Sequence, residues 1–289
     1  MSWPGPIWGE PSTASGTAVP LRAIAHADDA GYRADGGSSA QLVVLAASVA
    51  GVAHRLAGRR GEDAYAWAQP AEDRLALLVA DGVSTAGRGG EGADTAVRAA
   101  RDFLARRGGD WGEMACVAAM GAADEELERL GGPAKAELST TLVVALVEAG
   151  GPGGARASLA RVGDSTAFTF SSGEGWREVF AGWPEGEVLT ATDVLPVDGV
   201  GGGRLETASV GLAEGTALVL VTDGIADPLR DGPTTVAPAL AAVLAGGVEG
   251  ELSPLALARA ADFSRRGALD DRTLLVAWWR PRGGTDRVK

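Results

Sequence analysis

The stretch Leu75-Ala-Leu-Leu-Val-Ala-Asp-Gly-Val-Ser-Thr-Ala-Gly-Arg-Gly-Gly-Glu-Gly-Ala93 decides the fold. Residues 75–80 form an apolar run and read as a buried strand. The run breaks at Asp81-Gly82, continues as a glycine-rich loop and becomes helical in pattern near Ala93. A carboxylate at the end of a buried strand is costly unless a cation meets it. Gly82 beside it lets the backbone approach a ligand closely. A second copy lies downstream in Ala217-Leu-Val-Leu-Val-Thr-Asp223-Gly224. Two strand-end Asp-Gly pairs suggest two carboxylates brought to one place, with a hard divalent metal as the natural occupant.

Outward from this stretch the chain alternates in blocks. Gln41–Val49, Ala64–Ala68, 75–80, Thr140–Val147, Ala155–Val162, Thr166–Phe170, 217–222 and Thr273–Trp279 read as strands. Ala93, Ala96, Val97, Ala100, Phe103 and Leu104 have the spacing of an amphipathic helix. Further helical patterns cover 111–130, 235–245 and 253–266. Asp124-Glu-Glu reads as a solvated helix face. Strands, two helices, strands, two helices and a strand is the order of an α+β fold, not of a parallel βαβ sheet. Residues 1–38 read as a flexible N-terminal arm that Trp3 and Trp8 can pin to a surface, 39–281 as one domain and 282–289 as a polar tail. Residues 174–210 read as an irregular surface excursion.

Composition excludes several classes. With 38 acidic and 26 basic residues the chain carries a net charge of -12, which argues against a nucleic-acid partner. The single cysteine, Cys116, excludes an internal disulfide and a multi-cysteine zinc site, and reads as a buried inert thiol. No stretch has the apolar length of a membrane span, and no secretory signal opens the chain, so the expected location is cytoplasmic.

Acid starts or ends strands at Glu62-Asp63, Asp81-Gly82, Asp223-Gly224 and Asp270-Asp271, with Asp164 in a further turn. An all-carboxylate set suits magnesium or manganese, whereas zinc favours nitrogen or sulfur. The rival reading of Gly87-x-Gly89-x-x-Gly92 as a dinucleotide fingerprint fits poorly. Asp81 to Ala86 intervene after the strand, and a second helix follows where a βαβ unit needs a strand.

The blocks Gly61-Glu-Asp-Ala64, Val79-Ala-Asp-Gly-Val83, Ser139-Thr-Thr-Leu-Val-Val144, Arg161-Val-Gly-Asp-Ser165, Leu220-Val-Thr-Asp-Gly224 and Asp270-Asp-Arg-Thr273, in this order, resemble the metal-dependent type-2C protein phosphatases. The resemblance covers about residues 42–279, and His54-x-x-x-Gly58 points to a bacterial branch. It implies a four-layer αββα sandwich of two antiparallel sheets flanked by helix pairs. It implies two Mn2+ or Mg2+ ions: Asp81 bridges them with the Gly82 carbonyl on one, Asp223 and Asp270 complete the first, and Glu62 completes the second. Asp63 would orient metal-bound water, and Asp164 with Asp223 matches a third, weaker site. The implied activity is phosphoprotein Ser/Thr dephosphorylation, with metal-bound hydroxide attacking phosphorus in line. A phosphorylated Ser/Thr protein is then the substrate and a bacterial signalling kinase the partner opposed.

The sequence departs from the family at several points. The usual phosphate-holding Arg is Gly58 here, and Arg55, Arg59 or Arg60 can take its place, with Arg59 the catalytic candidate. Tyr65 stands where some members carry a His, and Asp271 where most carry Asn. His54 reads as a loop anchor. Two alternatives stay open: a catalytically silent pseudophosphatase acting as a binding module, and a phosphatase of small molecules.

Overall fold

The structure is a computed structural model that describes residues 22–28, 31–38, 42–107, 109, 111–150, 154–180, 193–197, 204–231, 236–249, 253–263 and 269–279. Trp3, Trp8 and the tail 282–289 lie outside the described residues. The strands are β1 (Arg22–Asp28), β2 (Tyr32–Ser38), β3 (Leu42–Val49), β4 (Asp63–Ala71), β5 (Arg74–Asp81), β6 (Leu142–Ala149), β7 (Ala155–Val162), β8 (Thr166–Ser171), β9 (Gly175–Glu178), β10 (Glu206–Leu212), β11 (Ala217–Val221) and β12 (Arg272–Trp279). The helices are α1 (Val52–Leu56), α2 (Gly89–Arg106), α3 (Glu113–Gly131), α4 (Asp223–Arg230), α5 (Val236–Glu249) and α6 (Pro254–Ala261). Among the described residues no helix is long and apolar enough to cross a membrane.

Two antiparallel sheets form the centre. One has seven strands in the order β1-β2-β3-β12-β11-β8-β9, and the other five in the order β10-β7-β6-β5-β4. The β5 run is continuous because both of its faces are covered. Leu75, Leu77 and Val79 meet Leu42, Val44, Leu218 and Leu275 of the opposite sheet. Ala76, Leu78 and Ala80 meet Val97, Ala100 and Leu104 of α2 and Cys116 and Met120 of α3. On the far side Val43, Leu45, Val219 and Val276 pack under Ile225, Leu240 and Leu257 of α4, α5 and α6. Full burial of each such side chain contributes about 1.5–3 kcal/mol. The layers are helix, sheet, sheet, helix, the α+β sandwich expected from the sequence.

The glycine spacing at 87, 89 and 92 has a packing cause. A Cβ on Gly92 would lie 2.0 Å from the Leu138 carbonyl oxygen, and one on Gly89 would lie 2.6 Å from that of Val83. Gly87 turns the chain with φ of 93°.

The expected arm needs correction. Residues 22–28 and 32–38 are the outer strands of the seven-stranded sheet, with β2 paired along the length of β3. The Gly36-Gly37-Ser38 run reads as loop, yet a Cβ on Gly36 would come within 2.7 Å of the Val44 carbonyl oxygen and 3.3 Å of Pro254. Close approach selects the glycine there. Strands β9 and β10 also emerge from the stretch read as irregular, and Asp124 is not merely solvated: its Oδ1 accepts from the Val197 N–H at 2.7 Å.

Candidate functional site

Strand register sets the first two carboxylates. Asp63 opens β4 directly opposite Asp81, the last residue of β5. The Asp81 backbone is fixed from both sides. Its N–H donates to Thr141 Oγ1 at 3.0 Å, and its carbonyl accepts from the Thr140 hydroxyl at 2.8 Å and the Thr141 N–H at 2.9 Å. Backbone fixing leaves the carboxylate itself available, which is what the Ser139-Thr-Thr block accomplishes. Asp63 is buried, and the Thr222 hydroxyl donates to its Oδ2 at 2.9 Å while accepting from the Thr273 N–H at 3.0 Å.

Asp223 begins α4, where the helix N-terminus favours a negative group. Gly224 follows because a Cβ there would lie 2.0 Å from the Asp271 carbonyl oxygen. Gly82 is equally confined: a Cβ would lie 2.3 Å from the Gly89 carbonyl carbon and 2.7 Å from the Glu62 carbonyl oxygen. Asp271, only 8% exposed, accepts from the N–H groups of Gly51 and Glu62, and its Oδ1 lies 2.9 Å from His54 Nδ1. The other ring nitrogen of His54 lies 3.7 Å from Glu62 Oε1. Asp271 therefore pins the loop before β4, and His54 acts as the anchor the sequence suggested.

Two adjoining cavities result. One, of about 750 Å³, is lined by His54, Asp81, Gly82, Asp164, Asp223 and Asp270. The other, of about 590 Å³, holds Glu62 and Asp63. Arg59 lines both. The structure thus gathers Asp81, Gly82, Asp164, Asp223 and Asp270 in one cleft and sets Glu62 and Asp63 on its neighbouring wall. Of the three candidate arginines, Arg55 is committed elsewhere, donating to the Tyr32 hydroxyl at 2.9 Å and to Asp262 at 3.0 Å. Arg60 lines the second cavity only. One contributor escaped the sequence reading: Arg33 of β2 donates to the Asp63 carbonyl at 2.6 Å and lies over the Tyr65 ring at 5.3 Å. Its signal was the alternation of Tyr32, Arg33, Ala34 and Asp35, masked by the glycines that follow.

The carboxyls repel one another. Burial, followed by the charge of Asp271, holds Asp63 well above the ordinary carboxylate range, against the hydrogen bonds of Thr222 and Thr273. Burial, then Asp63, Asp223 and Asp164, does the same for Asp81. Asp223 is pushed up to about 6 by burial and by Asp164. Asp81 and Asp223 lie within hydrogen-bonding reach of each other, which two ionised carboxylates cannot exploit without a proton or a cation between them. Glu62 Oε2 and Asp63 Oδ1 are buried without a hydrogen-bond partner. Such a set of oxygen donors, mutually repelling and partly unsatisfied, fits hard divalent cations. Among the described residues no group of three or more His, Cys, Asp or Glu is drawn close enough to hold a metal ion by itself.

The family model described as Protein phosphatase 2C matches residues 50–252. The chain belongs to the protein phosphatase 2C family, and its two-sheet sandwich is the fold of that family. Among solved structures it is similar to the Mycobacterium tuberculosis serine/threonine phosphatase PstP/Ppp, with 21% identity, 83% of this chain and 100% of that chain covered, and a TM-score of 0.55. It is also similar to the S. agalactiae serine/threonine phosphatase, with 16% identity, 83% and 100% covered, and a TM-score of 0.59. A third similar structure is the catalytic domain of PstP in complex with 2 manganese ions, at 18% identity, 83% and 99% coverage and a TM-score of 0.54. No curated protein matches the sequence.

Proposed function

We propose that this chain is a manganese- or magnesium-dependent phosphoprotein Ser/Thr phosphatase that opposes a bacterial signalling kinase in the cytoplasm. One observation carries the reading: Asp81, partly buried at a strand end, has the charges of Asp63, Asp223 and Asp164 around it, and among the described residues no side chain of Lys or Arg forms an ion pair with it. In the proposal Asp81, Gly82, Asp223 and Asp270 hold one cation, Asp81 and Glu62 the second, and Asp164 with Asp223 a third, weaker one. When bound, the cations supply Lewis acidity, making hydroxide available near neutral pH and offsetting charge on the phosphoryl oxygens. The chain's own residues do the rest. Asp63, held by Thr222, accepts a hydrogen bond from the attacking water and orients it. Arg59, on the wall common to both cavities, grips phosphate oxygens with its planar fork. Tyr65 stacks beneath Arg33 instead of lining the cleft, so the leaving alkoxide takes its proton from solvent. The two manganese ions of the similar PstP domain agree with this reading.

The departures at Gly58, where the family's phosphate-holding Arg is missing, and at Tyr65 favour the second reading, a silent pseudophosphatase that binds phosphoproteins. Hydrolysis of an aryl phosphate and of a phosphothreonine peptide decides between them, measured with manganese, with magnesium and with chelator. The expected result is cation-dependent turnover that falls at least about 100-fold in Asp223→Asn, equivalent to ~2.7 kcal/mol of transition-state stabilisation. Folded wild-type protein with no turnover under any cation would establish the binding module.

A further inference from the structure

The second cavity gathers arginines from separate parts of the chain. Arg33 comes from β2, Arg59 and Arg60 from the loop before β4, and Arg88 and Arg98 from the start and middle of α2. In a protein of net charge -12 this convergence runs against the general composition. The cavity also holds four carboxylates, Glu62, Asp63, Glu91 and Asp94. Their partners separate them. Glu62 and Asp63 belong to the proposed cation and water site. Arg88 grips Glu91 through its Nε and one terminal guanidinium nitrogen, at 2.8 and 2.7 Å. Arg33 lies 3.5 Å from Asp94. Arg98 gives its Nε to the Asp94 carbonyl at 3.1 Å, and its charge is felt by Glu91 across the cavity. Arg59 has no ion-pair partner among the described residues. The Arg88–Glu91 pair has side chains 36% and 49% exposed, and a solvent-exposed pair of this kind exchanges readily for a better-placed anion.

We propose that this arginine-lined cavity is a docking subsite for a second anionic side chain of the phosphoprotein substrate, close in sequence to the residue being dephosphorylated. The inference rests on the phosphatase reading and extends it to substrate choice. Three features support it. The guanidinium fork matches carboxylate and phosphate oxygens bidentately. Arg59 is the common wall, so one substrate segment reaches both cavities without leaving the surface. Glu91 and Asp94 line the recess beside the arginines and leave it only a small positive excess, which suits one compact anion better than an extended polyanion. The shared chemistry is an oxyanion on a side chain, either an aspartate or glutamate or a second phosphorylated residue.

The test measures affinity without turnover on the manganese-loaded protein. Three labelled peptides of one sequence carry a non-hydrolysable phosphonate in place of the phosphothreonine. One has no second anion, one has a neighbouring aspartate and one a neighbouring phosphoserine. Fluorescence anisotropy should show about tenfold tighter binding for at least one two-anion peptide, a gain that shrinks with added salt. A gain with phosphoserine alone identifies a second phosphate as the ligand; a gain with both shows that an acidic residue suffices. In Arg88→Gln/Arg98→Gln, with folding checked by circular dichroism, the ratio between two-anion and one-anion peptides should collapse towards one. Equal affinities in the wild type, or a preference that survives the double substitution, overturn the subsite. Hydrolysis of the matching phosphopeptides is measured separately. A protein that turns them over but binds the three peptides equally is a phosphatase without this subsite. A protein that never turns them over removes the phosphatase reading, and the substrate role of the cavity with it.

Discussion

Replacing Asp271 with alanine tests whether this residue, rather than a cation, organises the loop before β4. Its carboxylate is almost fully buried and accepts from Gly51 N–H, Glu62 N–H and the His54 ring. Alanine strands the two backbone donors, at about 1–3 kcal/mol each. Removing the charge also relieves Asp63, whose protonation Asp271 favours, which offsets part of the loss. The net cost is about 2–4 kcal/mol, or roughly a 4–8 °C drop in Tm for a domain of this size. Asparagine keeps one acceptor and turns an amide towards the other donor, so its cost is about half, ~1–2 kcal/mol. Thermal unfolding followed by circular dichroism, in chelator and in manganese, reads both variants. Because Glu62 is held through its N–H, Asp271→Ala should also lose the stabilisation that manganese gives the wild type. A Tm within 1 °C of wild type for Asp271→Ala, or Asn costing more than Ala, would refute the reasoning.

Three further outcomes follow from the packing. Gly92→Ala, which gains about 1 kcal/mol of helix propensity, should still lower the urea midpoint, because its Cβ meets the Leu138 carbonyl at 2.0 Å; a stabilised variant contradicts the close approach. Burial pushes the Cys116 thiol up to about 12, so only about one part in ten thousand is thiolate at pH 8; aromatic disulfide reagents should label it only after denaturation, and rapid labelling of folded protein counts against its burial. Glu206→Ala removes the carboxylate 3.0 Å from the buried Arg161 guanidinium but leaves its bond to the Thr166 hydroxyl and the nearby charge of Glu178, so it should lower urea stability by about 1–3 kcal/mol; unchanged unfolding would show that the Glu206 pair contributes nothing.

The parts of the fold that were legible are those whose burial is two-sided. Residues 75–80 and 217–222 read as strands because both faces exclude charged residues, and the aspartates that follow them stand out against that background. The carboxylates of the cleft were legible for the same reason. What stayed hidden depends on pairs distant in sequence. Nothing local marks Asp271 as the acceptor for Gly51 and Glu62, or Arg33 as the neighbour of Asp63. Strand β2 hides behind Gly36 and Gly37, whose purpose appears only once Val44 and Pro254 lie against them. Helix α4 hides behind its Asp-Gly start and Pro228, both of which read as turn chemistry. Arg55 and Arg59, four residues apart, look alike in the sequence; only Tyr32 and Asp262 tell them apart by capturing Arg55.

The position of β12 has a consequence for biosynthesis. This last described strand is not at an edge: it pairs with β3 on one side and β11 on the other, and Asp270 and Asp271 immediately precede it. A nascent chain translated through α6 holds its larger sheet as two separate pieces, with hydrophobic edges on both. The carboxylate ring lacks one member and the loop before β4 lacks its pin until the final strand emerges and slides between them. The ribosome therefore releases an assembled site only after nearly the whole domain has been made, and a chain cut short before residue 270 yields a protein with neither a closed sheet nor a complete cleft.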